Sequence, residues 1–288
     1  MLNICLQQSE VPTSNPTVKL IFIILCFAVL AVFVLSRFFN FLERLYAIKY
    51  KKPFFLNLIL QPKKLTSSQL ELLEREFIFY NKLKAREKRV FRHRLATFMQ
   101  SKQFVGRDGL ELTEDMLTLI SATAVMLTFG FRKYLIPIIE TVIIYPKAYF
   151  SQINEVYHKG EINPQLKIIV FSWKDFEKGY HIGDDNLNLG IHEFGHAMHL
   201  NAARHNDISS LIFNEGFKQL TTYLQQNEAL RLHLIQSKYF RAYAFTNPYE
   251  FFAVLLENFI ETPADFKSEY PKIYGYIKQM LNLNVAGY

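Results

Sequence analysis

Residues 189–199 read LGIHEFGHAMH, from Leu189 to His199, and contain His192, Glu193 and His196 in the pattern H-E-x-x-H. If residues 186–203 are helical, the two histidines lie one turn apart on one face and their imidazoles can converge on a single ion. Zinc takes neutral imidazole nitrogen readily. A carboxylate beside the first ligand, here Glu193, is placed to take a proton from water at such an ion. The pattern is short and the chain holds eight histidines, so a third ligand is needed to separate a site from a coincidence.

One zinc-peptidase pattern continues as H-E-x-x-H-x-x-G-x-x-H. Here its glycine position is His199 and its last histidine position is Ala202, so that pattern fails. His199 stands two turns from His192 and reads as a polar surface residue or a neighbour of the ligands. Two glutamates remain. Glu215 follows His196 by nineteen residues, as in thermolysin-type sites, and Glu250 closes the segment Asn247-Pro-Tyr-Glu250. The second also has a plain structural explanation, because Asn-x-x-Glu with an intervening proline is a helix-opening capping box. Spacing alone leaves the two level.

The chain has 288 residues, enough for one sizeable domain with attachments. Half of them are hydrophobic, with 27 Phe and 16 Tyr, which supports a large core and excludes a disordered chain. The two cysteines, Cys5 and Cys26, lie at the N-terminus, so the remainder has neither a disulfide nor a thiolate metal site. This suits a reducing compartment. Leu20 to Leu35, LIFIILCFAVLAVFVL, is an unbroken apolar run that can cross a bilayer once if Lys19 reaches the interface. A cleaved signal peptide is the rival reading. No basic segment stands well ahead of the run, however, and SRFFNF offers no small-x-small cleavage site. Arg37, Arg44, Lys49, Lys51 and Lys52 come after the span, against Glu43 alone, and the positive-inside bias places the C-terminal bulk of the chain in the cytoplasm.

Beyond the span, Ser68-x-x-Glu71 reads as a capping box opening an amphipathic helix. From Lys82 to Arg107 nine basic residues stand against one glutamate. Such a run reads first as a solvated helix face, then as a lipid or acidic-partner contact, and last as a nucleic-acid footprint. Thr113 can cap a core helix through EDMLTLISATAVMLTF, and TVIIYP (141–146) and LKIIVFSW (166–173) read as strands. A helix near 210–236 and a helical set from 248 onward complete an α+β arrangement.

From about residue 65 to 275 the chain resembles the Mlc titration factor A family of zinc-dependent peptidases. The matching stretches are VIIYPKAYF, IIVFSWKDF, NLGIHEFGHAMH and AYAFTNPYEFFAVLLENFIETP. The catalytic domain of anthrax lethal factor is similar in the same places. The resemblance implies zinc ligands at His192, His196 and Glu250, Glu193 as general base, and Tyr243 lining the site. Glu257 and Asn188 stand where they could support the ligands, or serve only as a surface carboxylate and a helix starter.

The expectation is therefore an α+β protein. A mainly helical, zincin-like metallopeptidase domain with a small sheet (66–288) follows a short non-cytoplasmic tail (1–16), a transmembrane helix (17–39) and a juxtamembrane connector (40–65). It would be a single-pass inner-membrane protein with a cytoplasmic catalytic domain, one Zn2+ per chain and peptide substrates, aminopeptidase-like by family resemblance. The resemblance also implies a transcriptional regulator as a partner; nucleic acid is not expected. The alternative is a zinc-stabilised binding protein that sequesters a cytoplasmic regulator at the membrane.

Overall fold

A computed structural model of the protein describes residues 15–56, 59, 61–151 and 155–288. Positions 1–14 of the expected N-terminal tail, Cys5 included, lie outside the described residues. The chain divides into two units, one ending at Leu45 and one comprising Tyr46–Tyr288.

Helix α1 (Pro16–Tyr50) starts where the side chain of Asn15 accepts the N–H of Thr17, with proline at the first helical position, where its missing N–H costs nothing. Among the described residues it is the one helix long and apolar enough to cross a membrane. Its side chains from Leu20 to Leu35 are exposed. No glycine or proline lies between Pro16 and Pro53, so the helix runs beyond the expected span. The first part of the expected connector, residues 40–50, is thus helical.

The second unit is mainly helical with a small sheet, the α+β arrangement the sequence implied. It begins with α2 (Ser67–Glu76), α3 (Ile78–Lys82), α4 (Ala85–Ser101), β1 (Gln103–Gly106) and α5 (Glu114–Leu127). Then come β2 (Thr141–Tyr145), β3 (Tyr149–Ser151), β4 (Val156–His158), β5 (Gly160–Asn163) and β6 (Ile168–Ser172). The C-terminal half holds α6 (Trp173–His181), α7 (Leu189–Arg204), α8 (Ile208–Gln226), α9 (Glu228–Gln236), α10 (Pro248–Glu261), α11 (Pro263–Glu269) and α12 (Pro271–Leu281). A 3-10 turn, Ala242–Phe245, precedes α10. The four-stranded sheet has the order β1-β2-β6-β5, parallel except for β5, which pairs antiparallel with β6 and forms an edge. Strands β3 and β4 make a separate antiparallel pair.

Two local expectations need correction. The box that opens α2 is Thr66-x-x-Gln69: the Thr66 hydroxyl accepts the Gln69 N–H and the Gln69 side chain accepts the Thr66 N–H. Ser68 instead donates to Glu114. The basic run is not all solvated surface either. Arg94 on α4 is buried, and its guanidinium donates to the carbonyls of Thr128, Phe129 and Phe131 just past α5. It closes the carbonyl end of a buried helix, where a cation also complements the helix dipole. Burial still lowers its pKa to about 10.

Helix α7 crosses the middle of the unit against α5, α8, α10 and strands β5 and β6. Ile191, Phe194, Ala197 and Met198 face its core side, and Phe194 meets Phe171 at 5.4 Å and Phe98 at 6.4 Å between ring centroids. Truncating a fully buried phenylalanine such as Phe194 to alanine costs about 3–5 kcal/mol, so this face fixes the rotation of the helix. The opposite face is thereby committed to His192, Glu193 and His196.

Candidate metal centre

Helix α7 starts at Asn188, whose side-chain oxygen accepts the Ile191 N–H at 3.0 Å. Its amide donates to the Gly179 carbonyl at 2.7 Å and to Glu261 at 3.0 Å. Asn188 is therefore the helix starter. One turn on, His192 and His196 bring their Nε2 atoms to 3.1 Å, with the rings at 90°.

The third group comes from α10. Asn247 accepts the N–H groups of Tyr249 and Glu250, so the asparagine half of the capping box forms. The Glu250 carboxylate turns to the histidines, placing Oε2 2.9 Å from His192 Nε2 and 3.4 Å from His196 Nε2. This reach depends on how closely α7 and α10 pack. A Cβ on Gly195 would stand 3.1 Å from Leu256 Cδ2, so an added methyl would press on that α10 side chain.

Glu215, the other candidate, lies on α8 with Gln219 at 3.0 Å and Lys51 at 3.9 Å. Among the described residues the metal-competent cluster is His192, His196 and Glu250. His199 is neither surface nor ligand. It is buried among Phe217, Tyr249, Phe213 and Phe252, and burial lowers its pKa to about 4.

Three lone-pair-bearing atoms at mutual separations of 2.9–3.4 Å form a set that protons or a cation must hold together. The edge of a zinc tetrahedron built from bonds of about 2.0–2.1 Å is about 3.3 Å, so the residues fit such an ion. Burial pushes the His192 pKa down, but hydrogen bonds to Glu250 and Glu257 outweigh it and bring the value up to about 9. Burial likewise disfavours the Glu250 carboxylate, and the two histidines more than reverse this, leaving its pKa far below the usual range.

Behind His192 stands a second layer. Glu257, buried two turns after Glu250, places Oε1 3.3 Å from His192 Nδ1 and Oε2 2.8 Å from Arg241 Nη2. Arg241 Nη2, which can only donate, also lies 3.1 Å from this Nδ1; when Nδ1–H is directed at Glu257, the Nε2 lone pair is left for the cluster. Arg241 also donates to the Asn186 carbonyl at 2.9 Å and so ties the approach to α10 to the approach to α7. Glu257 was visible in the sequence by its helical offset. Arg241 was not, because its role depends on where a long connection returns.

Glu193 is buried beside the cluster, and burial raises its pKa although both histidines oppose the shift. Gly160, the first residue of the edge strand, lies over it: a Cβ there would come within 2.6 Å of Glu193 Oε1. Both residues line a cleft with His192, Arg241 and Tyr243. Tyr243, on the 3-10 turn, is half exposed, with its ring centroid 6.1 Å from that of His192. Burial and a hydrogen bond with Glu250 raise its pKa. His192, Glu193, His196, Glu250 and Tyr243 thus meet in one place, where two imidazoles, one carboxylate and a further buried carboxylate have the composition of a metallohydrolase centre.

The model of the family described as glucose-regulated metallo-peptidase M90 matches residues 50–281, and the chain belongs to that family. It is also similar to an uncharacterized protein of Synechocystis sp., with 23% identity over 223 residues, covering 70% of this chain and 78% of that protein. Membership of a metallopeptidase family implies a metal, and the His192–His196–Glu250 cluster is where one can be held.

Proposed function

We propose that this chain is a zinc-dependent peptidase held at a membrane by α1, with His192, His196 and Glu250 as the ligands. The observation that carries the reading is the convergence of those three groups with buried Glu193 at their side. Zinc supplies, when bound, Lewis acidity toward a carbonyl and a lowered pKa for water. Glu193 accepts the proton of the attacking water and delivers it to the leaving amine, a task suited to a carboxyl whose pKa burial has raised. Tyr243 donates its hydroxyl proton in a hydrogen bond to the developing oxyanion. Glu257, itself held by Arg241, accepts from His192 Nδ1–H and so favours the tautomer that leaves Nε2 free.

A peptide substrate is supported by the position of the sheet edge. Strand β5 is terminal in its sheet and Gly160 opens into the cleft, so an extended chain can add to that edge beside Glu193. The preference for short peptides or chain ends is carried by family resemblance. A purely structural zinc site has no use for a buried carboxylate poised beside its ligands, which disfavours the binding-protein alternative. Digestion of a diverse peptide library by the zinc-loaded full-length protein, compared with the chelator-treated protein, tests the proposal. Zinc-dependent cleavage is expected; an intact library with fully loaded protein would refute it.

Gly160→Ala gives a sharper test of the geometry. The added methyl displaces Glu193 without touching a ligand, so zinc content should hold while turnover falls about tenfold or more, as misplaced general bases do. Unchanged turnover would mean that Glu193 is not the base. For topology, the proposal places α1 in the inner membrane and the second unit in the cytoplasm, from the basic residues after the span. A C-terminal alkaline phosphatase fusion should then be inactive and a fluorescent protein fusion bright. The reverse pattern would overturn the orientation.

A further inference from the structure

The segment that leads into α7 has two faces. Leu187 and Leu189 line the cleft beside Glu193, whereas Asn188 between them lines a different recess of about 180 Å³. That recess lies between α3, α5, the end of α6 and the end of α10, and its walls are largely apolar: Phe77, Phe79, Met126, Ile191 and Ile260.

Its polar content is unusual. Glu261 gives one carboxylate oxygen to the Asn188 amide at 3.0 Å, while Oε2 is buried without a hydrogen-bond partner among the described residues. The hydroxyl of Tyr180, in the same recess, is also buried and unpartnered among them. Native proteins rarely leave such groups unsatisfied, least of all a carboxylate against apolar walls. Burial, together with the charges of Asp185 and Glu257, pushes the Glu261 pKa up to about 7 despite hydrogen bonds from the Asn188 side chain and the Asn186 backbone. Asp185 and Glu257 add negative charge near Glu261; Glu76 also lines the recess, paired with Arg75, and exposed Lys82 stands at the rim. A neutral donor would satisfy the Glu261 oxygen, but only a cation would also relieve the surrounding negative charge.

We infer that this recess is a binding site for a small organic ammonium ion, which donates to Glu261 Oε2, meets the Tyr180 hydroxyl and packs its apolar body against Phe77, Phe79 and Met126. Because Glu261 holds Asn188, and Asn188 caps α7 four residues before His192, occupancy bears on the segment that walls the cleft. The inference does not depend on the peptidase reading, and either can fail alone.

The test is calorimetric titration of the full-length chain in lipid nanodiscs, against empty nanodiscs, with three probes of nearly equal size. Benzylammonium should bind saturably at one site. Benzyl alcohol should bind at least about tenfold more weakly, for want of the charge-assisted hydrogen bond, and benzoate should not bind. Glu261→Gln should weaken benzylammonium by a similar factor, and Tyr180→Phe by less. If Glu261→Gln fails to fold, the probe series on the wild type decides by itself. Equal binding of the amine and the alcohol, no saturable binding of the amine, or an unchanged affinity in a folded Glu261→Gln protein would overturn the inference.

Discussion

Glu193→Gln is expected to keep its metal and lose its activity. The substitution retains the size of the side chain and touches none of the three clustered groups, so metal content should match the wild type. The amide can neither take a proton from water nor return one to an amine. Hydrolysis should therefore fall by at least about 10²-fold, the lower end of what a positioned proton transfer contributes. Stability should not suffer, because burial penalises the ionised carboxylate that the substitution removes. The sign can be checked in the chelated protein. A carboxyl whose folded pKa is raised contributes stability at low pH that is lost as pH rises above the usual carboxylate range. Thermal melts of the wild type should show a larger loss than those of Glu193→Gln, where Glu261, also raised, still contributes its share. Metal analysis, initial rates on cleaved library peptides and melts at several pH values give all three answers from one pair of proteins. Equal rates in the two would assign the activity to another site.

The second large effect separates two glutamates. Glu250→Gln removes an anionic oxygen that lies within 2.9–3.4 Å of both histidines, and a neutral amide is a poor ligand for zinc. Loss of a group that merely supports a ligand costs about 10–100-fold in metal affinity, and loss of the ligand itself should cost more. Zinc should be lost on dialysis and turnover with it. Glu215→Gln keeps an oxygen that can still accept from Gln219 and removes a long ion pair with Lys51, which contributes little. Metal content and rate should stay near wild type. The opposite pair of outcomes would restore the thermolysin-type spacing.

That contrast also shows what the sequence could and could not convey. His192 and His196 were legible because a helix turns spacing into direction: residues four apart must share a face. Glu250 was not legible by the same means. Asn247-Pro-Tyr-Glu250 describes a helix N-terminus equally well, and Asn247 does cap α10, so local chemistry and ligation use neighbouring atoms of one motif. Only the packing of α10 on α7 determines where the carboxylate points. Strands β2 and β6 announced themselves through β-branched residues, whereas β5, Gly-Glu-Ile-Asn, has neither length nor alternation, and its contribution to the site is the missing Cβ of Gly160. Arg94 misled for a related reason. In a run of basic residues nothing local marks the one that turns inward to meet the carbonyls past α5. Nor did the third histidine of the motif declare itself. The aromatic walls around His199 come from α8 and α10.

The central claim is that two imidazoles and the Glu250 carboxylate hold a catalytic zinc. X-ray absorption at the zinc edge of the loaded full-length protein addresses it most directly, because it reports the ligand set without reference to any substrate. A shell of nitrogen and oxygen at about 2.0–2.2 Å with the multiple scattering of two imidazoles is predicted, reduced to one imidazole in whatever zinc His196→Ala retains. A spectrum without imidazole scattering, or one that His196→Ala leaves unchanged, would contradict it.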